Sequence, residues 1–140
     1  ISYMEMSSFK LFMLDVGLLT AKGNLSPRIL LEGNRIFEEF KGALTEQFVA
    51  QELCAAEYEL YYYSTENSTG EIDFVIQHNC HCIPLEVKAE ENLRAKSLRA
   101  FCDKYKPDIA IRTSMSNYRE QDWMNNVPLY ALVNYVKELD

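Results

Sequence analysis

The sequence predicts an α/β domain in which helices cover a mixed β-sheet, and three features carry that prediction. A long segment, RIFEEFKGALTEQFVAQELCAA (35–56), has apolar residues at 36, 37, 40, 44, 48, 49 and 53, the spacing of a helix with one buried face. The stretch GEIDFVIQHNCHCIPLEVKA (70–89) alternates as a β-hairpin. Helix and strand patterns then interleave to the last residue, which argues for layers of both kinds.

The elements follow in order. In SSFKLFMLDVGLLTAKG (7–23), Phe9, Leu11 and Met13 alternate as on a short strand, and Asp15 is placed to cap a short helix from DVGLL. SPRILLEGN (26–34) is a connector with Pro27 and Gly33. The long helix comes next, with Gly42 as its weak point. YELYYYSTE (58–66) reads as a strand, ENSTG (66–70) as a turn, and the hairpin follows. ENLRAKSLRAFCDKYKP (91–107) is a second helix, with Leu93, Leu98, Phe101 and Tyr105 on its apolar stripe and Pro107 ending it. DIAIRTS (108–114) is a strand, a polar loop holds Trp123, and NVPLYALVNYVKELD (126–140) closes the chain with Pro128 near a helix start.

The totals bound the rest. With 140 residues, the chain is read as a single domain over 1–140. No apolar run is long enough to span a membrane, so no membrane partner is expected. ISYMEMSSFK has neither an initiator Met nor a signal-peptide pattern, and we expect a piece of a longer chain. Cys54, Cys80, Cys82 and Cys102 are expected to be reduced thiols of a cytoplasmic protein, because a chain this rich in core residues does not need disulfide staples. The net charge of −7 does not attract nucleic acid, which would need a local basic patch or bound cations.

Within the hairpin, alternation puts Ile72, Phe74 and Ile76 on one face and Glu71, Asp73 and Val75 on the other; on the second arm it separates Ile83, Leu85 and Val87 from Pro84, Glu86 and Lys88. A two-residue turn at Asn79-Cys80 sets Asp73 opposite Glu86, roughly 5 Å apart at Cβ. Two carboxylates so close repel. Either one holds a proton or a cation sits between them, and oxygen ligands suit Mg²⁺ or Mn²⁺. Lys88, two residues beyond Glu86, could steady developing negative charge or position a water. The competing reading is a solvent-facing hairpin with exposed acids. The apolar flanks IDFVI and IPLEV speak against it.

Asp73, the run Glu86-Val87-Lys88 and a preceding helix with a Glu together resemble the PD-(D/E)XK nuclease superfamily. FKLFMLDVGLL, ALTEQFVAQEL, GEIDFVI, PLEVKA and KSLRAF, in that order, are similar to the C-terminal domain of unknown function of bacterial and archaeal AAA+-type ATPases. The resemblance runs along nearly the whole chain. It implies a restriction-endonuclease-like three-layer fold and a metal-dependent cleavage site of Glu46, Asp73, Glu86 and Lys88, with the metal on Asp73, Glu86 and Glu46. It also implies an ATPase domain in the parent chain as partner. No G-x-x-x-x-G-K-[ST] occurs, so this stretch carries no P-loop.

Other groups were weighed. Glu52 is a weaker rival to Glu46, and Glu71 is read as exposed. His78, Cys80, His81 and Cys82 are too tightly spaced for usual zinc geometry and are read as turn chemistry. Arg94, Lys96 and Arg99 open the second helix and are the expected nucleic-acid contacts, against the alternative of an ordinary solvated face. Tyr61, Tyr62 and Tyr63 are read as half-buried rather than as a stacking platform. Two functions remain: a Mg- or Mn-dependent nuclease-like domain, or a catalytically inactive nuclease-fold module that regulates an ATPase or binds a partner.

Overall fold

A computed structural model describes residues 9–24, 38–65, 70–89 and 95–140. Among these, helices α1 (Val16–Lys22), α2 (Glu38–Ala55), α3 (Lys96–Tyr105) and α4 (Leu132–Lys137) surround strands β1 (Tyr61–Ser64), β2 (Glu71–His78), β3 (His81–Lys88), β4 (Ile111–Ser114), β5 (Arg119–Gln121) and β6 (Met124–Pro128). The strands form one six-stranded mixed sheet in the order β1-β2-β3-β4-β6-β5. β3, β4 and β6 run parallel; β1, β2 and β5 pair antiparallel to their neighbours.

Two apolar clusters cover the sheet. Val49 and Leu53 of α2 and Leu132 and Val136 of α4 pack on Phe74, Ile76, Ile83, Leu85, Ile111 and Val127. On the opposite face Leu98 of α3 meets Ile72, Ala110 and Met124, with Val75 and Phe101 beside them. Side chains that alternate along β2 and β6 therefore fall into different clusters, and helices cover both faces.

The hairpin turn forms as its sequence implies. His78 pairs with His81 across Asn79-Cys80, and Asn79 takes φ 51°, a conformation Asn tolerates better than most residues. Asp15 caps α1 by accepting the Leu18 amide at 2.8 Å. The connector at 26–34, Leu93 and most of the 66–70 turn lie outside the described residues.

Three expectations need correction. Residues 9–13 are not a strand. Gln47 of α2, 2 % exposed, receives the Met13 amide at 2.8 Å and donates to the Met13 carbonyl at 2.9 Å, so one side chain does the work of a strand partner. The inward residues are also the opposite ones: Phe12 packs on Phe74, while Phe9 and Leu11 are exposed. The segment around Trp123 is no polar loop but the β5–β6 hairpin, and Pro128 ends β6 before a 3₁₀ turn (Leu129–Ala131) leads into α4. Its polar sequence hid it, because Asn126 is buried by side-chain hydrogen bonding rather than by apolar patterning. Finally, Ile72 does not share a face with Phe74. From Tyr61↔Val75 to Tyr63↔Ile72, β1 advances two residues and β2 three, so β2 carries a bulge at Asp73-Phe74 that reverses its alternation.

Candidate functional site

The bulge decides where Asp73 points. The β2–β3 ladder ends at Phe74↔Leu85, and the Val87 amide beyond it is taken by Asp73 Oδ2 at 2.7 Å. The carboxylate thus lies in the gap where the two strands part. Its other oxygen, Oδ1, is 3.6 Å from Lys10 Nζ.

Lys10 is the residue the sequence reading missed. Its ammonium lies 2.7 Å from Glu71 Oε1, 3.4 Å from Glu46 Oε2 and within ion-pair range of Asp73, over the Tyr62 ring. The chain itself thus supplies a cation to Asp73, while Glu86 is paired with Lys88. The Gln47 clamp on Met13 and the packing of Phe12 hold Lys10 there. A sequence signal existed only weakly, as one Lys in an otherwise apolar run, FKLFML. Glu71, read as exposed, is a direct partner of Lys10, though its side chain remains about half open to solvent.

Glu86 and Lys88 occupy a second arm of the same site. Alternation against the core residues Leu85 and Val87 turns Glu86 toward the face of Arg112, its partner in the β3–β4 register. Lys88 Nζ donates to Glu86 Oε1 at 2.5 Å. Glu86 is 5 % exposed, and its Oε2 is buried with no hydrogen-bond partner among the described residues. The pairing expected to set Asp73 opposite Glu86 stops one pair short, at Phe74↔Leu85, and the two carboxyls act on each other at the end of the ladder.

The electrostatics tie the two arms together. Burial pushes the Glu86 carboxyl up; Lys88 opposes this while Asp73 and Glu46 add to it. Burial also raises Asp73, against the Val87 amide, Lys10 and Lys88. Glu46 is raised by burial and then by Asp73, against Lys10. In all three carboxyls desolvation is the first cause of the rise, ahead of any neighbouring acid. Burial works against the Lys10 ammonium, but Glu71, Glu46 and Asp73 more than offset it and its pKa rises.

Among the described residues no group of three or more His, Cys, Asp or Glu is arranged to hold a metal ion. Glu86 Oε2 is the acid oxygen of the site without a hydrogen-bond partner among the described residues, whereas Asp73 Oδ1 and Glu46 Oε2 both face Lys10. An oxygen of that kind is a donor suited to a hard cation such as Mg²⁺ or Mn²⁺.

Arg94 lies outside the described residues. Lys96 is exposed at the first turn of α3. Arg99 pairs with Asp103 at 3.1 Å and lies over the Trp123 ring, 5.0 Å from its centroid. Cys54, Cys80, Cys82 and Cys102 are free thiols, while Tyr58 holds His78 and Asp108 holds His81.

Fold and site together define an α/β domain with a mixed sheet and a partly buried acid–lysine cluster at a strand split. Residues 41–132, more than half of the chain, match the family model described as Domain of unknown function (DUF4143), and the chain belongs to that family. No curated protein and no solved structure matches it. Among the described residues no helix is long and apolar enough to cross a membrane.

Proposed function

We propose that this is a restriction-endonuclease-like domain that cleaves phosphodiesters with Mg²⁺ or Mn²⁺, carried as the C-terminal module of an AAA+-type ATPase. One observation carries the reading. Glu86 Oε2 is a buried carboxylate oxygen with no donor among the described residues, beside Lys88 and within electrostatic reach of Asp73. Such an oxygen is satisfied by a proton or by a hard cation. When bound by Asp73 and Glu86, the metal would supply Lewis-acid stabilisation of charge on the phosphoryl oxygens. The chain's own groups then have separate tasks. Val87 N–H orients Asp73, Lys88 opposes the rise that burial imposes on the Glu86 carboxyl and offers its remaining protons to an anionic oxygen, and Glu46 holds Lys10.

A second reading, a catalytically inactive module that regulates the ATPase or binds a partner, is favoured by Lys10, whose ammonium already sits among three of the acids. Incubation of the domain and its parent chain with single- and double-stranded DNA and RNA, with Mg²⁺ or Mn²⁺, separates the two. Cleavage abolished by Asp73→Asn supports the nuclease. Intact substrates under both metals, with ATPase regulation unchanged by Asp73→Asn, support the inactive module.

A further inference from the structure

We propose that the cavity at the carboxyl end of β4 binds a phosphate ester, at a site that adjoins the acid–lysine cluster through Arg112, the register partner of Glu86. The cavity measures about 360 Å³, with Arg112 as its floor and Ser116, Tyr118 and Arg119 around it. It opens where the parallel strands β3, β4 and β6 end, the side of an α/β sheet on which ligands generally sit.

The charge pattern selects an anion. The chain carries 21 Asp and Glu against 14 Lys and Arg, yet none of the described residues lining this cavity is acidic and two are arginines. Arg112 is 0 % exposed, so its charge acts from beneath the floor. Burial and then Arg119 lower the pKa of that guanidinium, with Glu86 as the opposing influence. An anion in the cavity acts on Arg112 in the same direction as Glu86.

The cavity is also built to hold its shape. Asn126 accepts from Arg112 Nε and from Ser114 Oγ, each at 2.9 Å, and donates to the carbonyl of Asn117 at 2.9 Å. This turns a loop acceptor that would repel an anion onto the Asn126 amide. Arg119, exposed on the rim and paired in register with Asn126, is free to adjust its fork to a tetrahedral oxyanion. Met115 and Tyr118, 72 % and 51 % exposed, give the rim an apolar and aromatic surface that suits a stacked base. The shared chemistry is therefore a nucleotide phosphate, whether of a free nucleoside monophosphate or of a single strand.

This site does not depend on the nuclease reading, and its test keeps the two apart. The intact domain is titrated with inorganic phosphate, adenosine 5′-monophosphate and oligothymidylate while amide NMR signals are followed. Shifts confined to 115–119 and the end of β4 are expected, with binding weakened about tenfold in Arg119→Gln and unchanged in Asp73→Asn. Arg112→Lys, which keeps the buried charge, should bind more weakly than wild type while staying folded. Tighter binding of the monophosphate than of the strand identifies a free nucleotide; the reverse identifies nucleic acid. Unperturbed signals with all three probes at millimolar concentration, or equal affinity in wild type and Arg119→Gln, overturn the proposal.

Discussion

Asp73 receives the amide of Val87 at 2.7 Å, at the point where strands β2 and β3 stop pairing. A side chain thus completes a backbone ladder, and a charged group is held in the interior by a bond the fold needs. Its structural and chemical roles can be separated by substitution. Asp73→Asn keeps an acceptor for Val87 and removes a charge whose burial is unfavourable, so stability should stay within about 1 kcal/mol of wild type. Asp73→Ala leaves the amide unpaired and should cost about 1–3 kcal/mol. Urea denaturation of the two variants checks this, and equal losses would show that the Val87 bond is unimportant.

Lys10 competes with any added cation. Lys10→Met removes an ammonium from three carboxylates and should lower stability by about 1–3 kcal/mol. It should also enlarge the rise in melting temperature produced by millimolar Mg²⁺, because cation binding to the folded state is no longer opposed. Thermal melts with and without Mg²⁺ measure both effects. An identical Mg²⁺ response in wild type and variant would refute the competition.

The raised carboxyls fix the sign of a pH dependence. Glu46, Asp73 and Glu86 all bind protons more tightly in the folded state than in the unfolded one. Between their unfolded values, about 4, and their higher folded values, the native state carries more protons, so their contribution to stability falls as pH rises. Mild acidification from neutrality should therefore stabilise the domain, and Glu86→Gln should flatten the profile. Lys10, raised in the folded state, acts at the alkaline end: its contribution is present below its unfolded value and lost as pH climbs through the folded one. Denaturation midpoints across pH would show the opposite slope if Lys88 and Lys10 outweighed burial.

Lys88 cannot be altered without touching Glu86. Removal of a partner at 2.5 Å should raise the Glu86 carboxyl further. Lys88→Ala is therefore expected to slow any cleavage and to move its acidic limb to higher pH, rather than to change the transition state alone. A lower rate with an unmoved pH profile would confine Lys88 to transition-state charge stabilisation.

Gly42 lies in the interior of α2, and a Cβ added there meets no atom within 4 Å among the described residues. Gly42→Ala should stabilise the domain by about 0.5–1 kcal/mol, by favouring the helix and restricting the unfolded chain. A loss of stability on denaturation would contradict that.

By itself the sequence determined the elements whose apolar period is unbroken: α2, the β2–β3 hairpin with its Asn79-Cys80 turn, α3 and β4. It also singled out Asp73, Glu86 and Lys88, because charged residues inside an apolar hairpin need a reason, while Glu46 came only with the family resemblance. Local periodicity carries this information, since each residue's face follows from its neighbours in the chain. Only the tertiary structure decided the rest. β6 is a strand because Arg112 and Ser114, distant in sequence, satisfy Asn126 and allow a polar segment to be buried. The β2 bulge exists in relation to β1, so alternation along β2 alone could not show that Ile72 and Phe74 part company. Lys10 reaches the acids because Gln47, on a different element, clamps the strap that carries it. Each of these depends on contacts between residues far apart in the chain, and a period read within one segment holds no record of them.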